Sequence, residues 1–227
     1  MELNGDFSRR AAVHAGKMAW KASPMAGVDR RMLDRLGDEV ARATSIVRYA
    51  PGSSFSPHVH TGGEEFLVLD GVFQDEHGDF PAGTYIRNPP GSRHTPGSEP
   101  GCTIFVKLWQ FDLADRTQVF VDTTDKPFTP DPARPGVEVL DLFEDEREHV
   151  SLERWAAGSA VELDGRDGGL EVLVLDGSFA EAGETFEEQS WLRLPKGGQT
   201  TATAGDLGAR IWIKRGHLKI PPSPPAV

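Results

Sequence analysis

Cysteine is nearly absent. Cys102 is the only one in 227 residues, which excludes an internal disulfide and a four-cysteine zinc site. Positive charge is also scarce: 24 Lys+Arg stand against 35 Asp+Glu, a formal charge of -11. A chain this acidic is poorly suited to holding phosphate backbones, so no nucleic-acid partner is expected. No apolar run approaches the roughly eighteen residues that a membrane helix needs, so no membrane partner is expected either. The start, Met1-Glu-Leu-Asn-Gly-Asp-Phe-Ser-Arg-Arg10, lacks the apolar stretch of a signal peptide, and a cytoplasmic location follows as the expectation. Glycine and proline, by contrast, are plentiful at 25 and 17 residues, which favours a turn-rich β protein over a helical one.

The chain is organised around residues 52–94. Short apolar runs bounded by turn residues, such as Leu67-Val-Leu before Gly71 and Tyr85-Ile before Pro89, read as strands. His58 and His60 lie two apart, so on a strand both rings project from one face toward one point. Glu64 follows across the Gly62-Gly63 turn, and His94 arrives from a later strand. Three imidazoles and a carboxylate make a borderline-hard donor set, suited to zinc, iron(II), manganese or nickel. One divalent metal per chain, held by His58, His60, Glu64 and His94, is the expectation.

The spacing G-x5-H-x-H-x3-E-x6-G from Gly52 to Gly71, followed by G-x5-P-x-G-x2-H from Gly83 to His94, resembles the two motifs of the cupin superfamily. Only the asparagine that often closes the second motif differs, being replaced by Ser98. The phrases Val47-Arg-Tyr-Ala-Pro-Gly-Ser53, Gly62-Gly-Glu-Glu-Phe-Leu-Val-Leu-Asp-Gly71 and Tyr85-Ile-Arg-Asn-Pro-Pro-Gly91 are similar, more narrowly, to the cupin domain of ChrR-type anti-sigma factors. The resemblance implies a double-stranded β-helix, or jelly roll, holding zinc in a sensor of oxidative stress. That family grips its sigma factor with a separate helical zinc domain of the form H-x3-C-x2-C, which is lacking here, so direct sigma-factor binding is not expected. Other relatives are metal-dependent dioxygenases that cleave diketones or hydroxyacetophenones. A third reading is a small-molecule binding barrel with a structural metal. All three imply a small-molecule ligand or substrate.

Sliding the sequence by 106 residues places Gly52 on Gly158, Glu65 on Glu171, Leu67-Val-Leu-Asp-Gly71 on Leu173-Val-Leu-Asp-Gly177, Arg87 on Arg193 and Pro89 on Pro195. Such a repeat implies two copies of one fold: an all-β chain of two tandem cupin barrels. The same shift replaces His58 by Asp164, His60 by Arg166, Glu64 by Leu170 and His94 by Thr200. Turn and pairing positions are kept, whereas every metal-competent position is lost, so the second copy is expected to be metal-free. Expected boundaries are 1–118 for the metal-binding barrel with its N-terminal arm, 119–136 for a linker rich in proline, and 137–227 for the degenerate barrel. Exposed edges of an all-β chain leave room for a homodimer.

The remaining signals are weaker. Residues 28–49 are expected to form a hairpin turning at Gly37. His14, His77, His149 and His217 are expected at the solvated surface, and the acidic run Glu144–Glu148 on an exposed turn. The five tryptophans are expected in the core or in packing between the two halves, with Trp109 a candidate border of the first pocket.

Overall fold

The computed structural model describes residues 1–38, 40–220, 222, 223 and 225. Among these there is no α-helix and one 3-10 turn, Ala15–Lys17; the other described residues lie in strands, turns and connecting loops. The all-β expectation holds. The chain divides into two compact units, one comprising Met1–Gly5 and Ala19–Asp125, the other Asp6–Met18 and Lys126–Pro222.

In the first unit an antiparallel path runs through Glu2–Leu3, Val28–Gly37, Ala41–Tyr49, Cys102–Leu108, Glu64–Asp75, Thr84–Asn88 and Val119–Asp122. Val28–Gly37 and Ala41–Tyr49 form the expected hairpin at Gly37, with one bulge where the register passes from Met32 opposite Ser45 to Asp34 opposite Thr44. In the second unit the corresponding path is Thr129–Pro130, Val137–Glu144, His149–Trp155, Gln199–Arg215, Leu170–Glu181, Ser190–Leu194 and Ala11–His14. Residues 119–136, read from sequence as a linker, therefore contain two strands: Val119–Asp122 pairs with Thr84–Asn88 in the first unit, and Thr129–Pro130 pairs with Val137–Glu144 in the second. Likewise the N-terminal arm supplies the second unit with Ala11–His14, which pairs with Ser190–Leu194.

The kept positions have local causes. Gly71 and Gly177 both sit at φ 71°, and a Cβ there would meet the carbonyl oxygen of Gly101 at 2.1 Å and of Gly208 at 2.2 Å. Only glycine tolerates both the backbone angle and the approach, which accounts for the repeated Asp-Gly. Glu65 stands between Arg87 and Lys107 on neighbouring strands, and Glu171 stands the same way between Arg193 and Lys214. All six are at most 2% exposed. Buried charges persist only when they are paired, so strand pairing that sets opposite signs side by side explains why these residues recur together.

The interiors differ. Phe66, Val68, Phe73, Ile86, Ile104 and Val106 form a buried cluster in the first unit, and Ile104 and Val106 also line a cavity of about 390 Å³. The second is packed with Leu163, Leu170, Val172, Leu192, Ile211 and Ile213 among others. Three expectations are corrected here. Trp20 is not a core residue: it is half-buried, with the guanidinium groups of Arg31 and Arg48 against its ring at 4.1 and 4.5 Å. The side chain of His217 is 3% exposed and 3.3 Å from Glu171, and Glu148, at the end of the acidic run, is 7% exposed and pairs with Lys214 at 3.0 Å. Distant partners draw both of these polar groups inward.

Candidate metal centre

His58–Val59 pairs antiparallel with Arg93–His94, which places His58 directly opposite His94. The amide of His60 donates to the carbonyl of Ser92 at 2.9 Å, continuing that pairing past the end of the ribbon. The alternation of a strand then turns His58 and His60 the same way. Their ring centres are 4.8 Å apart, and each lies 5.3 and 4.7 Å respectively from that of His94. One nitrogen from each of the three rings falls within 4.8 Å of the others. His60 and His94 are buried and His58 is partly buried.

Glu64 opens the long strand after the Gly62-Gly63 turn, as expected. Its Oε2 is 3.3 Å from His60 Nε2 and 3.5 Å from His94 Nε2, and Asn88 donates to that oxygen at 3.4 Å. All four residues singled out in the sequence are therefore brought together. Two donors each about 2.1 Å from one ion, at ordinary coordination angles, stand about 3.0–3.4 Å apart; the donors of His60, His94 and Glu64 stand 2.8, 3.3 and 3.5 Å apart, and the nitrogen of His58 lies within 4.8 Å of those of the other two rings.

The hydrogen bonds around the rings favour the same reading. His58 Nδ1 donates to the carbonyl of Ser56 at 3.0 Å, and His94 Nδ1 donates to Asp75 Oδ2 at 3.1 Å. Each bond fixes the tautomer that leaves Nε2 with a free lone pair, the usual arrangement behind a metal-bound imidazole. His60 Nε2 and His94 Nε2 face each other at 2.8 Å, so without a cation one of them must carry a proton. Their pKa values accordingly diverge. Burial pushes His60 down, with the neighbouring rings adding to the effect against the pull of Glu64. Burial also disfavours charge on His94, but the bond to Asp75 and the nearby carboxylates outweigh it and raise the pKa. A divalent ion among the nitrogens removes this conflict, and the three histidines can hold one.

Asp75 is the residue that the sequence reading missed. It is held below the usual carboxylate range despite burial, because His94 and the amide of His77 donate to it. The cavity opens onto His58, His60 and Glu64 and is walled mainly by apolar side chains, among them Val47, Phe55, Ile104 and Val106. Trp109 borders it, as expected. Trp109 takes the unusual φ of 59° and packs so closely on Gly62 that a Cβ there would lie 2.0 Å from its ring.

At the corresponding positions of the second unit the donors are replaced by self-contained contacts. Arg166 pairs with Asp164, Leu170 is fully buried in the core, and Thr200 donates to Glu181 at 2.9 Å.

Two antiparallel barrels of one design, the first with three convergent histidines beside a cavity, define a two-barrel protein of the cupin class. The chain belongs to the ChrR Cupin-like domain family, which matches residues 8–112 and again residues 116–219. No curated protein matches the sequence. Among solved structures it is similar to a candidate dioxygenase from Nostoc punctiforme PCC 73102, with 13% identity and a TM-score of 0.77, covering 97% of this chain and 87% of that one. It is also similar to the bacterial pirin YhhW from Escherichia coli in complex with nickel(II), with 15% identity and a TM-score of 0.64, covering 96% of this chain and 100% of that one. A third is an oxalate decarboxylase formate complex from Lactobacillus farciminis, with 10% identity and a TM-score of 0.62, covering 94% and 87%. At such identities the likeness is one of fold, and function has to be argued from the site. Among the described residues no helix is long and apolar enough to cross a membrane.

Proposed function

We propose that His58, His60, Glu64 and His94 hold one divalent transition metal, zinc, iron, manganese or nickel, and that the chain is a metal-dependent enzyme of the oxygenase class acting on a small molecule. The observation that carries this reading is the cavity of about 390 Å³ that opens onto His58, His60 and Glu64. A site meant only to staple the fold is closed by protein, whereas a working one keeps a position for an outside molecule. The bound metal would supply Lewis acidity and, when redox-active, a means of activating dioxygen.

The chain's own residues do the rest. Asp75 and the Ser56 carbonyl orient the rings of His94 and His58. Val47, Ile104 and Val106 give the cavity apolar walls, and a lower local dielectric strengthens electrostatic contacts beside them. Among the described residues no cysteine or lysine lines the cavity, and the reading routes any chemistry through the metal.

The test is metal analysis of protein purified without a nickel column, followed by oxygen uptake by the iron-loaded chain with acetylacetone or 2-hydroxyacetophenone. We expect one metal per chain, uptake with iron, and loss of both in His60→Ala. A second reading rests on the nearness of Glu64, which brings the donor set to four and suits a closed zinc site in a sensor. Stoichiometric zinc with no uptake after exchange to iron would select it.

A further inference from the structure

The hairpin that walls the cavity carries two arginines whose sequence parity disagrees. Arg30 and Arg35 lie five apart in one strand, and simple alternation would send them to opposite faces. The bulge at Leu33 inserts one extra residue between them, which reverses the alternation. Both consequently line the cavity that opens onto the histidines.

The Nε of Arg30 is buried with no hydrogen-bond partner, and among the described residues Arg30 forms no ion pair. Arg35 donates to the carbonyl of Asp38. Burial first, and repulsion by Arg30 second, lower the pKa of Arg35 even with Asp38 opposing them. Two guanidinium groups thus face one apolar-walled space, near enough to repel.

The repeat supplies an internal control. Arg30 pairs with Val47 and Arg35 with Ala43; in the second unit the same register positions are Val139 opposite Glu153 and Glu144 opposite His149. The basic pair occurs only in the barrel that has the histidines. A purely architectural role for it would be expected in both.

We infer that Arg30 and Arg35 bind the carboxylate of a small molecule whose apolar body fills the cavity and whose other end reaches the metal centre. The inference rests on the reading of that centre as a ligand-binding site, and it narrows the ligand class to a carboxylic acid with a compact aromatic or aliphatic body. A carboxylate suits the pair because a guanidinium fork meets it with two parallel charge-assisted bonds. A cavity of about 390 Å³ lies in the range that holds one such molecule.

Calorimetric titration of the full-length protein tests this, with phenylpyruvate, its neutral methyl ester and phenylphosphonate as probes. Wild type, Arg30→Gln, Arg30→Lys and Arg35→Gln are each compared zinc-loaded and chelator-stripped, with metal content and thermal unfolding measured on the same samples. We expect phenylpyruvate to bind at least about tenfold more tightly than the ester. Each Gln variant should lose that preference with ester binding and metal content unchanged, and the Lys variant should restore part of it. Equal binding of acid and ester, no binding of either, or an Arg30→Gln variant that keeps the preference while folded would overturn the inference. Tighter binding of phenylphosphonate with the same arginine dependence would overturn the carboxylate assignment in favour of a phosphate monoester. Failure of the metal reading is distinguishable: no preparation would retain zinc, while an arginine-dependent preference for the acid in the stripped protein would still support the anion site.

Discussion

His94 donates to Asp75 at 3.1 Å, and in the second unit Thr200, which stands in the place of His94, donates to Glu181, which stands in the place of Asp75, at 2.9 Å. The acid behind the ligand position thus survives where the ligand itself does not. In the second unit it has found other work, since Arg10 also pairs with Glu181 at 2.5 Å. In the first it faces His94 and the amide of His77, so its bond serves the imidazole.

Asp75→Asn should therefore weaken metal binding about 10–100-fold without changing which residues ligate, because the partner that orients His94 and raises its basicity is weakened. Competition against a chromophoric chelator measures this. His217→Ala is the control, since His217 lies in the second unit beside Glu171, and its metal affinity should equal that of wild type. Equal affinity in Asp75→Asn and wild type would remove Asp75 from the site.

Trp109 and Gly62 give a packing test. An added methyl at Gly62 would overlap the indole ring, and overpacking of this kind costs about 1–3 kcal/mol. Gly62→Ala should lower the melting temperature, and Gly62→Ala combined with Trp109→Ala should lower it by less than the sum of the two single changes. Additive effects in that cycle would mean that the ring does not rest on the glycine.

Burial pushes the Cys102 thiol up to about 11, and the residue is 3% exposed. The thiolate is the reactive form, so at pH 8 the native protein should leave a disulfide reagent such as DTNB unconsumed. One thiol per chain should react once denaturant is added. Prompt stoichiometric labelling of the native chain would contradict this.

What could be read in the sequence was what is local. His58, His60 and Glu64 fall within seven residues, where strand alternation and one glycine turn suffice to bring them together. The repeat then separated these positions from Glu65 and Arg87, which recur because strand pairing sets them side by side. Asp75 was not legible as a partner of His94, since it ends an apolar run beside Glu76 and His77 and looks like any polar turn. Arg30 and Arg35 were hidden by the bulge, which reverses the parity on which strand reading depends. His217 and Glu148 were misread as solvated because their partners, Glu171 and Lys214, are 46 and 66 residues away, beyond any local pattern.

Glu153 carries the last prediction, and it concerns why the second barrel has a filled interior. Val47 and Leu108 line the first cavity; by strand register their counterparts are Glu153 and Arg215. Glu153 accepts from Arg134 Nη2 at 2.8 Å, from Arg215 Nη2 at 2.7 Å and from Trp155 Nε1 at 2.8 Å, with its side chain fully buried. Burial alone would raise its pKa, but Arg215, Arg134 and the Trp155 bond hold it below the ordinary 4.5. A depressed folded-state pKa means that the associated stability is present in full above about 4.5 and is lost as pH falls through the lower folded value. Removing the carboxylate takes the shared partner from two partly exposed guanidinium groups, of which Arg134 keeps Asp131 at 2.7 Å, and this costs about 1–3 kcal/mol. Glu153→Gln should therefore lower the melting temperature at pH 7 and make it less sensitive to pH below 4.5 than that of wild type, while zinc content, set in the first unit, stays unchanged. A Glu153→Gln chain as stable as wild type at pH 7 would show that the ion cluster is dispensable, and that the apolar core around Leu163, Leu170 and Ile213 closes the second barrel without it.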